Sequence, residues 1–148
     1  MTIGAEPLVI GVGNSWRRDD GVGAEVVERL RGKLPTLELP GEGTELIEAW
    51  RDTGWVIVID AMRSGGPVGT ILHIDAAAGP LPKGRFSCLS HQFGLAEAVE
   101  MARLLGRLPP KIEIYGIEAA DLGQGKGLSP AVEAAAIRLS ADLLEMRR

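Results

Sequence analysis

The chain has 148 residues, enough for one domain with one core, and 45% of them are hydrophobic, too many for a disordered chain. Its formal net charge is −4 with both signs scattered along the sequence, and the absence of a Lys/Arg cluster or an aromatic platform argues against nucleic-acid binding. No apolar run approaches the roughly 20 residues of a membrane-spanning helix, which argues against membrane insertion.

Residues 1–7 lack the basic and apolar regions of a signal peptide. The single cysteine, Cys88, can form neither an internal disulfide nor a cysteine-built zinc site. These features favour a reducing cytoplasm. The basic pairs Arg17–Arg18 and Arg147–Arg148 are short and are read as solvated surface.

In chain order, Leu8–Val12 is a short apolar run ending before glycine and predicts a buried strand. Val22, Val26, Val27 and Leu30 then recur at helical spacing, so a helix begins near Asp20. Leu37–Leu39 is a short second strand, and Leu46–Trp50 falls in a short helix. Trp55–Ile59 (WVIVI) is the clearest buried strand, filled with β-branched residues without alternation. Gly65-Gly66-Pro67 is a turn, and Thr70–Ile74 is another strand. Leu95, Ala98, Ala102 and Leu105 share one face of a helix after His91. Lys111–Ile117 alternates, as a strand with differently buried faces would. Ser129-Pro130 opens the last helix, with Ser as N-cap and Pro in the first turn, and Val132, Ala135, Ala136, Leu139 and Leu143 supply its apolar stripe.

The pattern β-α-β-α-β-β-α-β-α predicts an α/β fold in three layers, α/β/α, around a mainly parallel five-stranded sheet. The connection through Gly65-Gly66-Pro67 is too short for parallel neighbours, so Thr70–Ile74 is expected to run antiparallel. One domain spans residues 1–148.

Functional sites of such sheets gather outside the carboxyl ends of the parallel strands. Three polar segments arrive there. Gly11–Gly23 (GVGNSWRRDDGVG) begins like a dinucleotide fingerprint, but Trp16 occupies the third glycine position. A ring there is expected to block the close helix–strand approach that the fingerprint needs. The loop also carries paired acids, Asp19 and Asp20, at a helix entry. Capping and the helix dipole account for one of them more easily than for both. Asp60 follows WVIVI directly. His91 sits on a loop-to-helix junction, whereas His73 lies inside a strand and is given a structural role. Two carboxylates and one imidazole make a donor set for a borderline divalent ion such as nickel or zinc, with coordination positions left open. Asp20, Asp60 and His91 match no short metal motif.

These segments, in this order, resemble the landmarks of the hydrogenase maturation proteases. Gly11–Gly23 is similar to their Gly-x-Gly-Asn followed by Asp-Asp/Glu-Gly. Val58-Ile59-Asp60-Ala61 is similar to their strand-end Asp-Ala, and residues 63–70 to the connection after it. Ser90-His91 with Gly94-Leu95 resembles their histidine segment. Gly106–Pro110, Gly116-Ile117-Glu118 and Gly127–Pro130 follow in sequence. The resemblance runs from about Pro7 to the final helix.

The resemblance implies an endopeptidase that removes the C-terminal extension of a nickel-iron hydrogenase large-subunit precursor after nickel insertion. It implies Asp20, Asp60 and His91 as metal contacts, with Asp20 also catalytic. The nickel is carried by the substrate, and zinc or cadmium can stand in for it in vitro. The expected form is an aspartyl-type peptidase acting as a monomer. The family's acid-Gly-Gly-Thr/Ser recognition loop corresponds to Gly41-Glu42-Gly43-Thr44, where Gly43 and Thr44 match and Glu42 displaces a glycine or brings the acid one position late. Asp20 stands where many members carry Glu, and Ser15-Trp16 replaces a pairing ending in Leu.

No Gly-x-Ser-x-Gly elbow and no His-Glu-x-x-His motif is present, and no motif supports Cys88 as a nucleophile. The alternatives are a non-catalytic nickel-sensing checkpoint module and a nucleotide-binding domain. Asp19 is expected to point away from the site and to tolerate Asn better than Asp20 does.

Overall fold

A computed structural model of the protein describes residues 6–82, 85–86 and 93–146. Five strands, β1 (Leu8–Val12), β2 (Thr36–Leu39), β3 (Trp55–Met62), β4 (Ile71–Asp75) and β5 (Lys111–Glu118), alternate with four helices. The helices are α1 (Val22–Leu30), α2 (Gly43–Trp50), α3 (Leu95–Leu104) and α4 (Pro130–Met146). The strand order is β2-β1-β3-β5-β4. Every pairing is parallel except that of β4, which lies antiparallel on the outer edge of β5. The short turn through Gly65 enforces that reversal, as the connection length requires.

The central strands are buried on both faces, so they read as continuous apolar runs. One face of the sheet packs Val9, Ile57, Ile59 and Ile117 against α1 and α4 through Val26, Leu30, Val132 and Leu139. The other packs Ile10, Val56, Val58 and Ile114 against α2 and α3 through Leu46, Trp50, Leu95 and Val99. The alternation of Lys111–Ile117 does not separate a buried from an exposed face. From Ile112 onward every residue of β5 is buried. Its polar side chains are instead paired: Glu113 accepts from Trp55 Nε1 at 2.7 Å and faces His73 Nε2 at 2.8 Å. His73 also stacks on Tyr115 with ring centroids 4.6 Å apart.

Strand order fixes the site's position. From β1 the chain crosses to β2 on one side, then returns to β3 on the other, so the direction of winding reverses between β1 and β3. A crevice forms at such a switch point, beyond the carboxyl ends of the two strands. Gly11 pairs with Ile59 there. Helix α1 approaches the same point closely, because Gly23 lacks a side chain. A Cβ on Gly23 would lie 2.7 Å from the Ile59 carbonyl and 2.7 Å from the Val12 amide. The ring of Trp16 does not interfere with this contact, contrary to the sequence-based expectation. The close approach is made by Gly23 against Gly11, and Trp16 lies on the rim, 65% exposed.

Gly23→Ala is therefore expected to force α1 off the sheet, at about 1–3 kcal/mol. Gly54→Ala meets nothing within 4 Å and serves as the control. Thermal melts should show a drop of roughly 2–4 °C per kcal/mol for the first and little change for the second. Equal melting of the two would contradict the close contact.

Candidate active site

The loop after β1 turns sharply at Gly13, whose φ of +134° favours glycine. A Cβ on Gly13 would collide with the carbonyl oxygen of Asp20. Residues Arg18–Gly21 then form one 3-10 turn before α1. Neither acid caps the helix, because the N-cap position of α1 is Gly21 and no side chain bonds there. Both acids are buried nonetheless, Asp20 to 1% exposure and Asp19 completely.

Asp20 accepts the amide of Asn14 at 2.7 Å through Oδ2. It shares the crevice with Asp60, which is 5% exposed. Strand β3 continues past Ile59 to Met62, so Asp60 lies within the strand, in register with Gly116, rather than after it. Burial pushes the Asp60 carboxyl well above the usual carboxylate range, and the charge of Asp20 pushes it further. The Ala61 amide opposes both. Such a pairing of acids favours a proton or a cation between them.

Asp19 does not point idly away. Its Oδ2 accepts the amides of Ala120 and Asp121 at 2.8 and 2.9 Å and the Ser129 hydroxyl at 2.8 Å, and its Oδ1 accepts the Ser129 amide at 2.7 Å. Burial alone would raise its pKa. The bonds from Ser129, Asp121 and Ala120 outweigh that and hold it below the ordinary value. Asn cannot reproduce four accepted bonds, so the expected tolerance of Asp19→Asn does not follow from this geometry. Ser129 does precede α4, as the sequence suggests, but its hydroxyl serves Asp19.

Glu118, at the end of β5, is a similar acceptor. The Ser64 hydroxyl reaches it at 2.5 Å and the Ser64 and Gly65 amides at 3.0 and 3.2 Å. Burial raises its pKa, and the Ser64 and Gly65 bonds, aided by Arg63, bring it below the usual value. Sequence reading missed both anchors. The available signal was a carboxylate ending the apolar run of β5.

His91 and Cys88 lie outside the described residues. Among the described residues, no three His, Cys, Asp or Glu side chains group as a metal site. Gly43 and Thr44 open α2, where both carboxylate oxygens of Glu42 cap the amides of Thr44 and Glu45 at 3.1 Å. Gly43 donates to the carbonyl of Phe93 at 2.8 Å, and a Cβ there would strike the Phe93 ring at 2.5 Å. The Gly43–Thr44 turn thus abuts the residues that follow His91 in sequence.

A three-layer α/β/α fold with a buried acid pair at its switch point defines a class with catalytic or ion-binding potential. A family model described as hydrogenase maturation protease matches residues 27–146, a stretch that holds Asp60 and His91 but not Asp20. The hydrogenase 2 maturation protease of Escherichia coli is 31% identical over 135 residues, covering 86% of this chain and 81% of that protein. A hydrogenase expression/formation protein of Thiocapsa roseopersicina is 28% identical over 135 residues, and the match spans 86% of this chain but only 61% of that relative's length. The solved hydrogenase maturating endopeptidase of E. coli superposes with a TM-score of 0.73 at 27% identity, covering 95% of this chain and 93% of that one. The chain belongs to the hydrogenase maturation protease family.

The sign of the Asp60 shift gives a stability prediction. A raised folded pKa means that the native state holds the proton more tightly than the unfolded chain does. Stability is therefore lost as pH rises from about 4 through the folded value. Asp60→Asn removes that loss and can still accept the Ala61 amide. Asp60→Asn should melt above the wild type at neutral pH, and the difference should vanish near pH 3. A variant less stable than wild type at pH 7 would contradict the buried, repelled carboxylate.

Proposed function

We propose that this protein is an endopeptidase that removes the C-terminal extension of a nickel-loaded hydrogenase large-subunit precursor. The observation that carries the proposal is the buried Asp20–Asp60 pair, set at the switch point of a fold shared with the family's endopeptidases. Two buried acids side by side, one raised by the other, attract a divalent cation in preference to staying empty. With His91 as third donor, they engage the nickel that the precursor already carries. That contact draws the cleavage point into the crevice. Asp20, held by the Asn14 amide, acts as the base that takes a proton from the attacking water, as in an aspartyl-type peptidase.

The rim suits a protein substrate. Trp16 is exposed on the loop that leads to Asp20, with Lys126 Nζ 4.7 Å from its ring centre. Its backbone is fixed by Gly125 N–H on the Trp16 carbonyl at 2.8 Å and by Trp16 N–H on Asn14 Oδ1 at 2.9 Å. Exposed, rigidly held tryptophans are favoured anchors of protein interfaces. The Gly43–Thr44 turn, adjoining the segment after His91, provides the second recognition element. No helix among the described residues is long and apolar enough to cross a membrane. The lone Cys88 fits action in the cytoplasm. A checkpoint module that reads nickel without cutting would use the same acids but leave the precursor intact.

Mass spectrometry of a co-expressed nickel-loaded precursor distinguishes these readings. Wild type should shorten the precursor, and Asp20→Asn should leave it full length while melting close to wild type. An intact precursor with wild-type protein would refute the peptidase reading in favour of the checkpoint. Full cleavage by Asp20→Asn would remove Asp20 from the chemistry. Trp16→Ala should raise KM with kcat retained, and an unchanged KM would exclude Trp16 from substrate docking.

A further inference from the structure

Two like-charged carboxylates do not stay together in a buried crevice unaided. Asp20 sits on a single 3-10 turn, and the segment following Asp60 leaves the sheet at Met62. Both segments are tied to the same short stretch of chain at the end of β5. Asp19, next to Asp20, gathers the Ala120, Asp121 and Ser129 amides and the Ser129 hydroxyl. Glu118, two residues before Ala120, gathers the Ser64 and Gly65 amides and the Ser64 hydroxyl. Further bonds run in parallel: the Asp19 amide reaches the Asp121 carbonyl at 2.9 Å, and Arg63 Nη2 reaches the Ala120 carbonyl at 3.2 Å. The end of β5 is therefore bonded to both acid-bearing segments at once.

We propose that Asp19 and Glu118 are positioning residues, a pair of carboxylate clamps that fix the segments bearing Asp20 and Asp60 before any ion arrives. The inference rests on the reading of Asp20 and Asp60 as metal contacts. Each clamp is an anion that only accepts, surrounded by N–H and O–H donors, so it stays fixed without competing for the cation. Groups that orient metal ligands from behind govern affinity, and their loss weakens binding by 10–100-fold. A donor pair held in advance has no rearrangement to complete on binding.

Single hydroxyls test this without dismantling either clamp. Ser129→Ala removes one donor to Asp19, and Ser64→Ala removes one donor to Glu118. Cd²⁺ affinity is measured by calorimetry beside a melting curve, together with amide exchange at Asn14, whose N–H reports the place of the Asp20 carboxylate. Both variants should bind Cd²⁺ more weakly, by up to about tenfold, while melting near wild type. Ser129→Thr and Ser64→Thr should restore binding, and Asn14 exchange should quicken in Ser129→Ala. Unchanged Cd²⁺ affinity in both alanine variants would overturn the positioning role, even with a lowered melting temperature. If Ser129→Ala does not fold, Ser64→Ala and its threonine rescue decide. If wild type takes up no Cd²⁺, the metal reading itself fails and Asn14 exchange decides the clamp. Faster exchange in Ser129→Ala then sustains it, and unchanged exchange overturns it.

Discussion

The structure depends on an unfavourable contact, the burial of Asp60 beside Asp20. Taking a carboxylate out of water disfavours its charge, and a second carboxylate nearby disfavours it again. A fold tolerates such a pair only if surrounding interactions fix it in place. Here they come from backbone amides and serine hydroxyls gathered on Asp19 and Glu118, which turn two more buried acids into anchors. Three of the carboxylates at the carboxyl end of the sheet fall into two kinds. Asp19 and Glu118 are surrounded by donors and shifted down, whereas Asp60 has the Ala61 amide and is shifted up by burial and by the charge of Asp20.

The rest of the fold serves that arrangement. Reversal of winding between β1 and β3 opens the crevice. Gly23 brings α1 against the strand ends, and Gly13 lets the loop turn back beneath Asp20. Arg18 holds a left-handed φ of 50°, a conformation that costs an arginine roughly 1 kcal/mol or more. Its amide on the Gly125 carbonyl at 2.9 Å and its guanidinium on the Gln124 carbonyl at 3.2 Å offset that strain. The strained residue lies on the segment that delivers Asp20.

Much of this was legible in the sequence. WVIVI, the helical spacing of the valines after Asp20 and the short Gly-Gly-Pro turn give the element order and the antiparallel edge, because hydrophobic period and connection length act locally. The arrival of Asp60 toward the carboxyl end of β3 follows from the same pattern, although the strand runs on past it to Met62. The partners of Asp19 and Glu118 were not legible. Bonds to Ser129 and Ser64 span 110 and 54 residues, and no local pattern records them. In sequence Asp19 is one of two adjacent acids at a helix entry, where an acid ordinarily serves the helix dipole. The tertiary structure instead turns its carboxylate toward the loop after β5. The place of Trp16 is hidden in the sequence for a related reason. The glycine spacing suggested a helix–strand contact at that position, but a 3-10 turn intervenes and moves the contact to Gly23.

If the Asp20–Asp60 crevice is a cation site, Ni²⁺ must stabilise the folded protein through it. This is tested most directly by thermal melts with and without Ni²⁺, for wild type and Asp60→Asn. A ligand that binds only the native state stabilises it by RT ln(1 + [L]/Kd), about 2.7 kcal/mol at a hundredfold excess over Kd. Ni²⁺ should raise the wild-type melting temperature and leave Asp60→Asn unmoved. Equal shifts in the two proteins, or none in the wild type, would contradict it.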